Sequence, residues 1–161
     1  SGVGYVYKEE VDFSKMREKL GDEFIILFRP HYFIANVFDF EKYKGFVYDV
    51  SKVDDINELY VISDILITDY SSVFFDYANL KRPIIFYMYD LDSYREELRG
   101  FYLDIYTELP GNIYEDETTM LNDIKNNVYD NNRLEEFNER FNHAQTGDCA
   151  RKVIDIVFKG V

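Results

Sequence analysis

The sequence predicts a doubly wound, Rossmann-like α/β domain with a parallel sheet and further helices toward its C-terminal end. Three observations carry that prediction. Several short segments are apolar throughout, as strands covered on both faces must be. They alternate with segments of helical period, the pattern of parallel strands joined by crossover helices. The chain has 161 residues, 47% of them hydrophobic, enough for one core and too few for two.

The elements follow in order. "VDFSKMREKLGDE" sets Val11, Met16 and Leu20 loosely on one helix face, with Gly21 as a stop signal, and "FIILFRP" (24–30) is a buried strand broken by its proline. After an irregular aromatic stretch, "GFVYDV" (45–50) reads as a second strand. "DDINELYVIS" (54–63) reads as a helix carrying Ile56, Leu59, Tyr60 and Ile62. A third strand, "DILITDY" (64–70), leads into the helix "SSVFFDYANLKR" (71–82), with Val73, Phe74, Tyr77, Ala78 and Leu80 at helical spacing. "PIIFYMYD" (83–90) is the fourth strand, and Pro83 is tolerated at its first position. Beyond it the sequence predicts a short helix over "DLDSYREEL" and a long loop over "RGFYLDIYTELPGNI", turning at Pro110 and Gly111. In the tail, "ETTMLNDIKNNV" places Met120, Leu121, Ile124 and Val128 on one side, and "RLEEFNERF" and "ARKVIDIVFKG" are two more helices.

Charge narrows the function. With 31 acidic against 18 basic residues the formal net charge is −13, which disfavours nucleic acid and anionic membrane as partners of the bulk surface. A bound phosphate must therefore be held by a local arrangement. The single Cys149 excludes an internal disulfide and a multi-cysteine zinc site, which fits a reducing compartment. No apolar run approaches the ~20 residues of a membrane span. The opening "SGVGYVYKEE" has neither an initiator Met nor the form of a signal peptide, so the chain is expected to be a piece of something longer.

In open α/β sheets ligands bind beyond the carboxyl ends of the strands. That rule selects "RPHYF", "DVSKVDD", "TDYSS" and "YMYDLDSYR". A helix start carries unpaired N–H groups and partial positive charge, so small residues there let an anion approach. Ser71 and Ser72 add hydroxyl donors at that point, although one of them would suffice as an N-cap. Arg29 can pair with a phosphate, and Pro30 fixes the turn that carries His31, a residue that by itself reads more often as structural. Asp69 precedes the serines, and Asp76 can accept from a ribose hydroxyl or simply face solvent. Arg95 and Arg99 stand four apart, as an anion clamp or a solvated helix face. His143 lies in a polar turn and reads as surface.

These residues together resemble a known family. "SDILITDYSSVFFDYANLKRPIIFYMYDLDSYREELRGFYLDIYTELPG" and "FRPHYF" are similar to the CDP-glycerol glycerophosphotransferases, which prime and polymerise teichoic acids of bacterial walls. The resemblance spans about residues 24 to 112, and "PGNI" departs from the family's Pro-Gly-Pro. It implies a two-domain architecture of the glycosyltransferase-B type, with this chain as the C-terminal, nucleotide-binding half. It also implies that His31 is the active-site histidine, that Ser71 and Ser72 contact the diphosphate, and that Asp76 lies near the glycerol or ribose. Arg29, Asp69, Arg95 and Arg99 complete the expected donor site. The implied donor is CDP-glycerol or a similar CDP-alcohol, and the acceptor a lipid-linked glycan or teichoic acid chain at the cytoplasmic face of the bacterial membrane. Membrane contact and a second essential histidine are expected in an N-terminal half, so this half alone is expected to be inactive. No cofactor is called for, and a metal-independent transfer is expected, with Asp69 and Asp76 the acids a Mg²⁺ would use. A nucleotide-binding module without catalysis is the alternative. A phospho-acceptor signalling domain fits poorly, since no strand ends in the isolated Asp with the acidic pair and Lys that it requires.

Overall fold

The computed structural model describes residues 11–30, 38–91 and 103–159. Helix α1 (Phe13–Leu20) leads into strand β1 (Ile26–Phe28), and a 3-10 turn (Phe40–Tyr43) precedes β2 (Val47–Asp49). Helix α2 (Ile56–Ile62), β3 (Leu66–Thr68), α3 (Val73–Tyr77) with a 3-10 continuation (Ala78–Leu80), and β4 (Ile84–Tyr87) follow. Then come α4 (Ile105–Glu108), β5 (Asn112–Tyr114), α5 (Glu117–Lys125), α6 (Asn131–Phe141) and α7 (Cys149–Ile154), which widens into a π-helical turn (Asp155–Lys159).

Among the described residues the strand pairs are parallel, as the apolar runs require. The hydrogen-bonded ladders divide into two: β1 with β2, and β3-β4-β5 in that order. In register, Ile26 faces Val47, Leu66 faces Ile84, and Phe86 faces Ile113. The two ladders share one apolar layer. Ile26, Phe28 and Val47 of the first join Ile85, Tyr87 and Tyr114 of the second in a cluster closed by Phe13, Met16 and Leu20 of α1 and Met120, Leu121 and Ile124 of α5. Opposite them, Ile84, Phe86 and Met88 pack with Tyr60 of α2, Phe74 and Tyr77 of α3, and Leu134 and Phe137 of α6. Helices therefore cover both faces, which is the doubly wound arrangement read from the sequence.

Polar contacts fix how these layers meet. The Asp12 N–H donates to Glu117 at 2.8 Å and Lys15 Nζ to Thr118 at 2.6 Å, joining the starts of α1 and α5. Ser63 O, at the end of α2, accepts from Tyr77 Oη at 2.8 Å and from Arg82 Nη1 at 2.6 Å. Burial pushes the Tyr77 phenol up to about 12, so it donates at any physiological pH.

Several local readings change. Within the described part of the expected loop over residues 99–113 lie α4 and the start of the fifth strand: Leu109 and Pro110 are buried, and Gly111 lies against β4 rather than at a free turn. A three-residue strand beside Pro-Gly carries too little alternation to stand out. Helix α5 ends at Lys125, so Val128 is off its apolar face and 48% exposed. Ile62 and Leu80, placed on buried faces by spacing, are both exposed because each sits where its helix ends or tightens. The two tail helices form as expected, but Val153, Ile154, Ile156, Val157 and Phe158 of the last are exposed. The short helix expected over "DLDSYREEL" lies, apart from its first two residues, outside the described residues.

Gly111 is a close-approach glycine: a Cβ there would stand 1.9 Å from the Ile84 carbonyl oxygen. Relief requires β5 to move off β4. Gly111→Ala is expected to cost about 2 kcal/mol or more, a fall of roughly 4–8 °C in Tm by calorimetry or circular dichroism. An unchanged melt would contradict this packing.

Candidate functional site

The loops that leave the strands form the candidate site. After β1 stand Arg29, exposed, and Pro30, buried. After β2, Asp49 accepts from the Ser51 N–H at 2.9 Å, and the Ser51 hydrogen bonds with the nearby Lys52 charge hold its carboxyl below the usual range. Beyond β3 come Asp69, Tyr70, Ser71 and Ser72, and Asp90 follows β4. Residues 31–37 and 92–102 lie outside the described residues, and with them His31, Arg95 and Arg99.

Arg29 and Asp76, far apart in sequence, both act electrostatically on Tyr60. Burial raises the Tyr60 phenol pKa, the Asp76 charge raises it further, and the Arg29 charge lowers it. Both charges are thus within electrostatic reach of one ring. That ring packs edge-on against Tyr77, centroids 5.7 Å apart, so α2 and α3 hold it in place. Asp76 itself is exposed in the first turn of α3. Its solvent-facing side agrees with either sequence reading.

The two serines are resolved more sharply. Ser72 is the N-cap of α3, and its carbonyl accepts from the Phe75 N–H at 3.1 Å. Its hydroxyl makes no cap hydrogen bond, and among the described residues neither serine hydroxyl has a partner. Both residues are exposed, as is Asp69. The other described α-helices all begin at an aspartate: Asp12, Asp55, Asp104, Asp116, Asp130 and Asp148. Five of these carboxylates accept from first-turn N–H groups, Asp148 being the exception. Helix α3 alone among them starts without a carboxylate at its cap, so its unpaired N–H groups and two hydroxyls remain as donors.

Sequence reasoning passed over Tyr70 and Asp90. Tyr70 Oη donates to Asp90 Oδ1 at 2.8 Å, joining the loops after β3 and β4. Burial, the hydrogen bond to Asp90 and its charge all push the Tyr70 pKa upward. The only sequence signal was an aromatic residue inside an otherwise small and polar strand end.

His143, read as surface, is exposed, with its ring nitrogen 3.2 Å from the Arg140 carbonyl. It borders a polar cavity of about 380 Å³ with Asn79, Lys81 and Asn138, at the far end of α3 from the serines.

These cap geometries separate two kinds of helix start. Asp55→Ala is expected to destabilise the fold by about 0.5–2 kcal/mol, because Asp55 caps the Asn57 N–H. Ser72→Ala is expected to leave Tm unchanged. Paired thermal melts test this, and an equal loss in both variants would make Ser72 an ordinary cap.

The likeness to known proteins bears on the same strands and loops. Residues 1–159 match the model of the family described as CDP-Glycerol:Poly(glycerophosphate) glycerophosphotransferase. A teichoic acid poly(glycerol phosphate) polymerase of Bacillus subtilis (strain 168) is 42% identical over 159 residues, 96% of this chain and 21% of that protein. A teichoic acid glycerol-phosphate transferase of Staphylococcus aureus (strain NCTC 8325 / PS 47) is 42% identical over 160 residues, 96% of this chain and 40% of that one. The solved structure of the wall teichoic acid polymerase TagF shares the fold with a TM-score of 0.86 at 38% identity, over 98% of this chain and 39% of that chain. A variant of the same polymerase soaked with CDPG gives a TM-score of 0.86 at 37% identity, over 99% of this chain and 40% of that one. The chain thus spans from about a fifth to two-fifths of the length of these relatives. With nearly every residue inside the family model and the parallel α/β fold shared as well, the chain belongs to the CDP-glycerol:poly(glycerophosphate) glycerophosphotransferase family.

Proposed function

We propose that this chain is the donor-binding half of an enzyme that transfers glycerol phosphate, or a related polyol phosphate, from CDP-glycerol to a lipid-linked or polymeric acceptor in teichoic acid synthesis. The observation that carries the reading is the start of α3, where two serine hydroxyls without partners among the described residues accompany an uncapped helix terminus. Family membership supplies the substrate class. The chain is read as the C-terminal, nucleotide-side half of a glycosyltransferase-B-type protein that acts peripherally at the cytoplasmic face of the membrane, with membrane contact assigned to the other half.

In this reading Ser71, Ser72 and the first N–H groups of α3 bind the diphosphate of the donor. Arg29 adds positive charge from the β1 side, and Asp76 accepts from a hydroxyl of the ribose or glycerol. Asp69, Arg95 and Arg99 complete the donor site as the family resemblance implies. The reaction forms one phosphorus–oxygen bond and breaks another. The acceptor hydroxyl oxygen attacks the phosphorus of the glycerol phosphate group, its proton passes to a base, and CMP departs with the former bridging oxygen. His31 is assigned to proton transfer beside the diphosphate, a role that the acid and base forms of an imidazole serve. Donors fixed at a helix start stabilise the charge that develops on the departing CMP without reorganising.

Isothermal titration tests the donor assignment. The chain is expected to bind CDP-glycerol and CMP more tightly than ATP, and Ser72→Ala to weaken CDP-glycerol about tenfold or more, the range for a hydrogen bond to a charged group. Equal affinity for all three, or none for any, would remove the cytidine donor from this site. In a longer protein that contains this chain, His31→Ala is expected to abolish transfer with a smaller change in donor affinity, because a base acts chiefly in the transition state. Transfer at the original rate would exclude His31 from the chemistry.

A further inference from the structure

Among the described residues neither Ser71 nor Ser72 is held by a hydrogen bond of its own side chain, so their neighbours set their position. On the helix side the anchor is Phe74, buried against Phe86 with ring centroids 5.2 Å apart. On the strand side it is Tyr70, whose ring packs on the same core and whose Oη reaches Asp90. Asp90 is itself on firm ground. Next to it Leu91 is 1% exposed and its N–H donates to the Met88 carbonyl at 3.2 Å, while the Met88 N–H donates to the Tyr114 carbonyl at 2.8 Å. The loop after β3 is therefore pinned, through one phenol, to a loop fixed by both β4 and β5.

We propose that Tyr70 is a positioning residue of the donor site, its hydrogen bond to Asp90 holding Ser71 and Ser72 where their hydroxyls meet the donor's phosphate oxygens. This rests on the donor-site reading above. Tyr70 touches no reacting atom in this account. It restrains the peptide that carries the two serines, and it occupies a carboxylate oxygen of Asp90 near a site meant for an anion. Burial of the phenol keeps it protonated and therefore a donor.

Three variants test the link by titration of the chain with CDP-glycerol at 25 °C, well below the melting transition, with a thermal melt of each. Tyr70→Phe removes the donor and Asp90→Ala the acceptor, and each is expected to weaken binding about tenfold. Asp90→Asn keeps an acceptor oxygen and is expected to retain most of the wild-type affinity. The double variant Tyr70→Phe with Asp90→Ala is expected to bind no more weakly than either single change, since both break one bond. A brace that served the fold alone would lower the melting temperature and leave the affinity of the folded chain untouched, and that result overturns the inference. So does a double variant whose losses multiply. If the wild-type chain itself fails to bind CDP-glycerol, the donor-site reading falls and this inference with it, an outcome distinct from wild-type binding that Tyr70→Phe leaves intact.

Discussion

Strand β4 divides the interior of this protein, and most other features depend on how it does so. All four of its residues are buried. Because side chains alternate along a strand, Ile85 and Tyr87 serve the layer under α1 and α5, while Ile84 and Phe86 serve the layer under α2, α3 and α6. A one-residue slip would exchange the two sets and empty both cores at once. Partners on both edges hold the register, Leu66 and Ile67 of β3 on one side and Asn112 and Ile113 of β5 on the other. The loops that leave β3 and β4 inherit that precision, and the serine-bearing turn and Asp90 lie on them.

Much of this was legible in the sequence, for a physical reason. Continuous apolar runs such as "PIIFYMYD" tell of burial on both faces, and the helices between them show the period that an apolar stripe requires. Strand β5 escaped because "NIY" offers only three residues beside a Pro-Gly that signals a turn; Gly111 is there for its contact with Ile84, which no local pattern reveals. The end of α5 was overrun at Val128 because periodicity continues on paper after hydrogen bonding has stopped.

The candidate site was legible in its residue types and not in their geometry. A serine at a helix start reads the same whether its hydroxyl turns inward to cap or outward to solvent, and only the missing cap bond of Ser72 separates the two. The electrostatic influence of both Arg29 and Asp76 on Tyr60 depends on how separate elements pack, so it left no mark along the chain. The Tyr70–Asp90 bond spans two loops and was equally invisible. The sequence nonetheless pointed to one rim, because the rule that ligands sit beyond the carboxyl ends of parallel strands needs only the order of elements.

The aspartate cap of α5 makes the start of that helix sensitive to acid in a way that α3 is not. At the start of α5, Thr119 hydrogen bonds hold the Asp116 carboxyl below its usual range. A depressed folded pKa gives stability that is present above the unfolded value and is lost as pH falls through the folded one. Acidification therefore loosens the start of α5. Helix α3 has a serine at that position, which carries no charge to lose. The start of α5 would thus loosen in acid while the serine cap of α3 kept its state, so the two helix starts respond differently to the same fall in pH.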